Sequence, residues 1–166
     1  MQGIKVINIL KTFSATEMKE FEKFISSPYH NSGKNPVPLF EQIRQFYPDF
    51  ESGEISHEHF HKKMYPGKKF NRQVMWNLSS ALEKMALKFL EYESLRKHTF
   101  QRNELLLFEL GERKLLSNFS STVSEMDKFL EGHGIDYYFF DFKGRLQDFK
   151  IEYYQMLDKR HLLPEF

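Results

Sequence analysis

The chain has 166 residues, with 24 Lys and Arg against 23 Asp and Glu, 40% hydrophobic residues, 18 Phe and no Cys. That length suits one domain or two small ones, and the absence of Cys excludes disulfides, zinc ribbons and thiol catalysis. No apolar run approaches the roughly 20 residues that span a bilayer, and MQGIKVINILKTF is too short and interrupted for a signal peptide, so a cytoplasmic protein without membrane association is expected.

Ile4, Ile7 and Leu10 fall at helical spacing. Ser14 and Glu17 then spell a capping box, with Phe13 and Met18 placed as a hydrophobic staple. Met18, Phe21, Phe24 and Ile25 form the apolar stripe of the helix that follows, which Ser27-Pro28 ends. Pro38 suits the first turn of a third helix, buried through Leu39, Phe40, Ile43 and Phe46 and closed by Pro48. Ser56 is an amino-terminal cap for a short helix to about Met64, and Pro66-Gly67 makes the next turn. Asn71 caps a long helix with a heptad-like seam at Met75, Leu78, Leu82, Met85, Phe89, Tyr92 and Leu95.

Beyond Lys97 the pattern predicts a helix through Leu105 to Leu116. A second capping box, Thr122 with Glu125, opens a short helix carrying Val123, Met126, Phe129 and Leu130, stopped by Gly132 and Gly134. A last seam runs through Ile135, Phe139, Phe142, Leu146, Phe149, Tyr153 and Met156. The run Tyr137 to Phe140 is short enough to be a strand, but the seam after it favours helix. The expected fold is all-α: a compact helical bundle over residues 1–97, then antiparallel helical hairpins over 98–166, packed separately or as one unit and compatible with the start of an α-solenoid.

Charge is unevenly shared. Residues 1–97 hold 15 Lys and Arg against 11 Asp and Glu, whereas residues 98–166 hold 9 against 12. Part of the basic excess lies in KKMYPGKKFNR, where Lys62, Lys63, Lys68, Lys69 and Arg72 gather without an acidic residue, a candidate phosphate-contacting cluster. Two helices across a Pro-Gly turn suit a helix-turn-helix-like element at residues 56–90, loosely similar to winged-helix domains. No strand-turn-strand signal for a wing follows, however, and beyond Arg72, Gln73 and Asn77 few side chains would read bases.

In ISHEHFHKK, His57 and His61 share a helix face while His59 points away. Two ligands specify a metal site weakly, and Glu54 and Glu58 do not complete a zinc-peptidase pattern, so no metal site is expected. The preferred reading buries Phe60 and Met64 and leaves the histidines wetted. There is no nucleophile elbow, Gly-rich phosphate loop or paired acidic motif, so neither an enzyme nor a bound cofactor is expected. Ser79-Ser80 reads as a place of close helix packing.

The segments SPYHN at 27–31, YPDF at 47–50, MYPGKKF at 64–70 and LSSAL at 78–82 occur together, preceded by Glu20, Phe21 and Phe24. This combination, over roughly residues 8–95, resembles a family of uncharacterised bacterial helical proteins with a Ser-Pro-Tyr-x-Asn motif and a Tyr-Pro-Gly turn before a long helix. The resemblance implies a helical fold continuing into further aromatic-rich helices, and implies no particular activity. Tyr29 and Asn31 are candidate partner-binding anchors, although Pro28 also spells a simple helix stop, with Tyr29 folded back towards Phe24. A non-enzymatic module binding a protein partner or a second copy of itself is the expected function, and a nucleic-acid-binding regulator is the alternative.

Overall fold

A computed structural model describes residues 4–30, 35–51, 53–132 and 134–157, and among them the protein is all-α, with eight helices and no strand. The helices are α1 Val6–Leu10, α2 Ala15–Ser26, α3 Val37–Arg44, α4 His57–Met64, α5 Arg72–Lys97, α6 Thr99–Glu112, α7 Leu116–Glu131 and α8 Tyr137–Met156. The chain divides into two compact units, Met1–Glu93 and Ser94–Phe166, with the boundary in the last turn of α5.

In the first unit the capping box forms as spelled. The Ser14 hydroxyl accepts the Glu17 N–H at 3.2 Å, and the Glu17 carboxylate accepts the Ser14 N–H at 2.8 Å. Two of the orphan donors at the start of α2 are thereby satisfied. The stripe of α2 reaches a core built on aromatic rings: Phe21 meets Phe13, Phe40 and Phe89 at centroid separations of 5.5, 5.2 and 5.4 Å. The first two are edge-to-face pairs, which add about 0.5–1.5 kcal/mol each beyond the area they bury. An Arg44–Glu22 ion pair ties α3 to α2, and the Tyr47 hydroxyl donates to the Phe13 carbonyl.

The seam of α5 begins as expected at Met75, Leu78 and Leu82. It then buries Ala86, Phe89 and Glu93, while Tyr92 and Leu95 are exposed and Met85 is half-buried. A straight helix drifts by about 20° per heptad against a strict seven-residue repeat. Over 26 residues that drift moves the contact line one position along the chain.

In the second unit α6, α7 and α8 pack pairwise. Phe100 stacks on Phe142 at 4.1 Å, and Phe119 stacks on Tyr153 at 5.8 Å. The Arg145 guanidinium pairs with the buried Glu104 carboxylate, joining α8 to α6, and Lys150 meets Asp127 at 2.7 Å, joining α8 to α7.

Two boundaries here differ from the sequence reading. Leu116 opens α7 rather than closing α6, and Thr122 is buried inside α7 instead of capping it. The chain turns at Lys114, whose φ is 54°. The Leu115 N–H donates to the Leu110 carbonyl at 2.9 Å and the Lys114 N–H to the Gly111 carbonyl at 2.9 Å. This is the paired closure that glycine usually makes; with lysine in the left-handed position, the sequence carries little signal of it. In α8 the Asp136 carboxylate accepts the Phe139 N–H at 2.8 Å. That cap fixes the four aromatics from Tyr137 to Phe140 as helix and leaves Ile135 outside it.

Candidate functional site

The basic turn joins α4 to α5. The Ser56 hydroxyl accepts the His59 N–H at 3.1 Å at the start of α4, and Asn71 Oδ1 accepts the Val74 N–H at 3.1 Å at the start of α5. Between them Gly67 takes φ 77°, a conformation only glycine adopts without strain. Lys62, Lys63, Lys68, Lys69 and Arg72 are all exposed. Among the described residues none of the five enters an ion pair, and the Lys68 ammonium lies 5.7 Å from the centre of the Tyr65 ring. Their charge faces water close to the amino terminus of α5, where the helix dipole adds to the attraction for anions. Gln73 Nε2 donates to Asn77 Oδ1 at 3.1 Å, so these two candidate base readers engage each other.

The three histidines of α4 have three different surroundings. His61 is only 4% exposed, against the expectation of a wetted face, and packs near Tyr65 and Phe70 at 5.1 and 5.4 Å. The aromatic residues of the following turn cover that side of the short helix, while Met64 is only half-buried. His59 lies 3.8 Å from the Glu54 carboxylate. His57 Nε2 is hydrogen-bonded to Ser79 Oγ at 2.8 Å. Among the described residues no three His, Asp or Glu side chains gather as a metal-holding group.

The His57–Ser79 hydrogen bond adds to the reading of Ser79 as a place of helix packing, because its hydroxyl ties α4 to α5. The pair borders a cavity of about 240 Å³ that Ile4, Lys5, Trp76 and Glu83 also line. Burial pushes the His57 pKa below its ordinary value, and the positive charge of Arg72 pushes it the same way. At neutral pH His57 is therefore a neutral imidazole. Trp76, Ser79, Ser80 and Glu83 follow the spacing of one face of α5, whereas Lys5 at the edge of α1 and His57 on α4 are linked to that face by no local sequence pattern.

Tyr29 is 88% exposed. It does not fold back on Phe24; His30 takes that place, its ring stacked on Phe24 at 3.9 Å, with Tyr29 edge-on to His30. The histidine thus closes the end of α2 and leaves the tyrosine in solvent. Asn31 lies outside the described residues.

An exposed apolar surface opens α8. Ile135, Tyr137, Tyr138 and Phe140 are 79%, 80%, 61% and 65% exposed, while Phe142 turns into the core of the unit. A helix that begins with four aromatics cannot bury all of them on one stripe about 100° wide.

No protein family, curated protein or solved structure matches this chain. No helix among the described residues is long and apolar enough to cross a membrane.

Proposed function

We propose that the protein is a non-enzymatic protein-interaction module that associates with a second copy of itself through the aromatic opening of α8. The observation carrying this reading is the exposure of Ile135, Tyr137, Tyr138 and Phe140 within six residues. Contiguous apolar surface of this kind marks interaction sites, and aromatic residues are enriched at interface centres. A two-fold pairing would set the same patch on both copies, so one amphipathic surface supplies both halves of the contact.

Sedimentation over a wide concentration range tests it. The expected result is a weight-average mass that rises with concentration, and a return to monomer in a Tyr137→Ser, Phe140→Ser double variant. A constant monomer mass, or association unchanged in the double variant, refutes the reading.

A second reading rests on the basic turn, whose five exposed cations lie outside any ion pair among the described residues. If Lys62, Lys63, Lys68, Lys69 and Arg72 each neutralise one phosphate of a DNA duplex, affinity falls with a log–log salt slope of about −4.5, or about 500-fold between roughly 50 and 200 mM salt. Fluorescence anisotropy of a labelled duplex and single strand measures this, with the five residues changed to Ala as control. No binding at low salt refutes it.

A further inference from the structure

We propose that the cavity between His57 and Trp76 is a binding site for a small zwitterion of the α-amino-acid type, its carboxylate directed to Lys5, its ammonium to Glu83 and its side chain to Ile4 and Trp76. This goes beyond the reading above and involves none of its residues.

Lys5 and Glu83 line one cavity, yet among the described residues neither belongs to an ion pair. Two opposite charges that border the same space without meeting suit a ligand that carries both signs and is neutral as a whole. The remaining polar lining is consistent with that neutrality. His57 is uncharged at neutral pH and engaged with Ser79, so it adds hydrogen-bonding capacity without a second cation. An anion alone would leave Glu83 opposing it, and a cation alone would face Lys5.

Size and shape restrict the ligand further. The cavity of about 240 Å³ has the scale of a single small amino acid. It is smaller than the roughly 300–1,000 Å³ of pockets that enclose drug-sized ligands. Ile4 is buried and Trp76 is half-exposed, giving an apolar wall that ends in an indole face still open to an incoming side chain. These features suit an aliphatic side chain, which Ile4 and the Trp76 ring can cover, while the hydroxyl of Ser80, also in the lining, stays available to the ligand's polar end.

Trp76 is the single tryptophan of the chain, so its fluorescence reports on this cavity alone. The probes are L-leucine, N-acetyl-L-leucine, which lacks the ammonium, and L-leucinamide, which lacks the carboxylate. The expected result is a saturable change in Trp76 fluorescence with leucine and at least about tenfold weaker binding of each analogue, consistent with losing one charge-assisted contact. Lys5→Gln and Glu83→Gln should each weaken leucine binding by a similar factor while leaving thermal unfolding unchanged, since neither residue is in the core. No saturable change up to about 10 mM leucine overturns the proposal. So does equal binding of leucine and either analogue, or leucine binding unaltered in both charge variants.

Discussion

Replacing Arg145 with Met removes a charge from the second unit while keeping an apolar stem against the stacked Phe100 and Phe142 rings. Glu104 is buried, and in the variant it loses its guanidinium partner. Breaking a fully buried ion pair from one side costs about 3–5 kcal/mol. Arg145, however, is 41% exposed at its side chain, so water screens part of the interaction and about 2–3 kcal/mol is the reasonable scale. The guanidinium carbon also lies 5.6 Å from the Phe100 ring and 5.9 Å from the Phe142 ring, contacts that contribute about 0.5–1 kcal/mol each at such sites. Together these contributions give about 3–5 kcal/mol, and at about 4–8 °C per kcal/mol for a unit of this size the expected fall in Tm is at least about 12 °C, measured by circular dichroism. The sign of the pH dependence provides the sharper check. Burial raises the Glu104 pKa, with Asp141 adding to the rise, while the charge of Arg145 and its hydrogen bond lower it. Without Arg145 the folded-state pKa climbs further, so the folded protein holds a proton that the unfolded chain gives up. The stability associated with that proton is fully present below the unfolded pKa and is lost as pH rises through the folded pKa. The variant should therefore be most damaged at neutral pH and recover towards about pH 4. Adding Glu104→Gln should restore much of the loss at neutral pH. An equal loss at both pH values, or no rescue by the second substitution, refutes the electrostatic argument.

The same substitution at two glycines should act in opposite directions. At Gly111, inside α6, a Cβ would lie 3.2 Å from the flexible Glu152 carboxylate and 3.6 Å from the Phe119 ring, so Gly111→Ala should raise stability by about 0.5 kcal/mol in chemical denaturation. At Gly67 nothing lies near a new Cβ, but φ of 77° makes Gly67→Ala destabilising by about 1–2 kcal/mol in the same assay. Arg72→Gln should raise the His57 pKa in a proton NMR titration yet leave it below the ordinary histidine value, because burial, the larger cause, remains. A shift in the other direction would mean that Arg72 does not face His57 with its charge.

Where a helix boundary rests on a side chain reaching its own backbone, as at Ser14, Ser56 and Asn71, the residue type alone discloses it. The stop at Lys114 and the start at Leu116 rest instead on backbone closure around a left-handed lysine, which any sequence rule tuned to glycine passes over. Thr122 and Glu125 have the right spacing for a capping box, but Thr122 lies within α7, packed among buried side chains. The seam of α5 shows the same division between local and global information. Its first turns follow from residue spacing, whereas its later contact line depends on accumulated helical phase and on which residues it meets.

The candidate sites divide similarly. A basic cluster within eleven residues can be read directly, because adjacent cations on a turn have no nearby acid to cover them. The cavity beside His57 can be read only in part: Trp76 and Glu83 share a face of α5 two turns apart, but Lys5 and His57 are far from them in sequence and join them only through the packing of α1 and α4 with the long helix. Histidines two residues apart invite a shared role in the sequence, yet a helix sends successive side chains about 100° around its axis. His59 consequently faces a carboxylate, while His57 and His61, one turn apart on the other face, meet a serine 22 positions away and the rings of Tyr65 and Phe70 respectively. In an all-α fold, chemistry assembled from separate helices depends on their angular phase and packing, so a local motif gives the side chains available and tertiary contacts determine which of them meet.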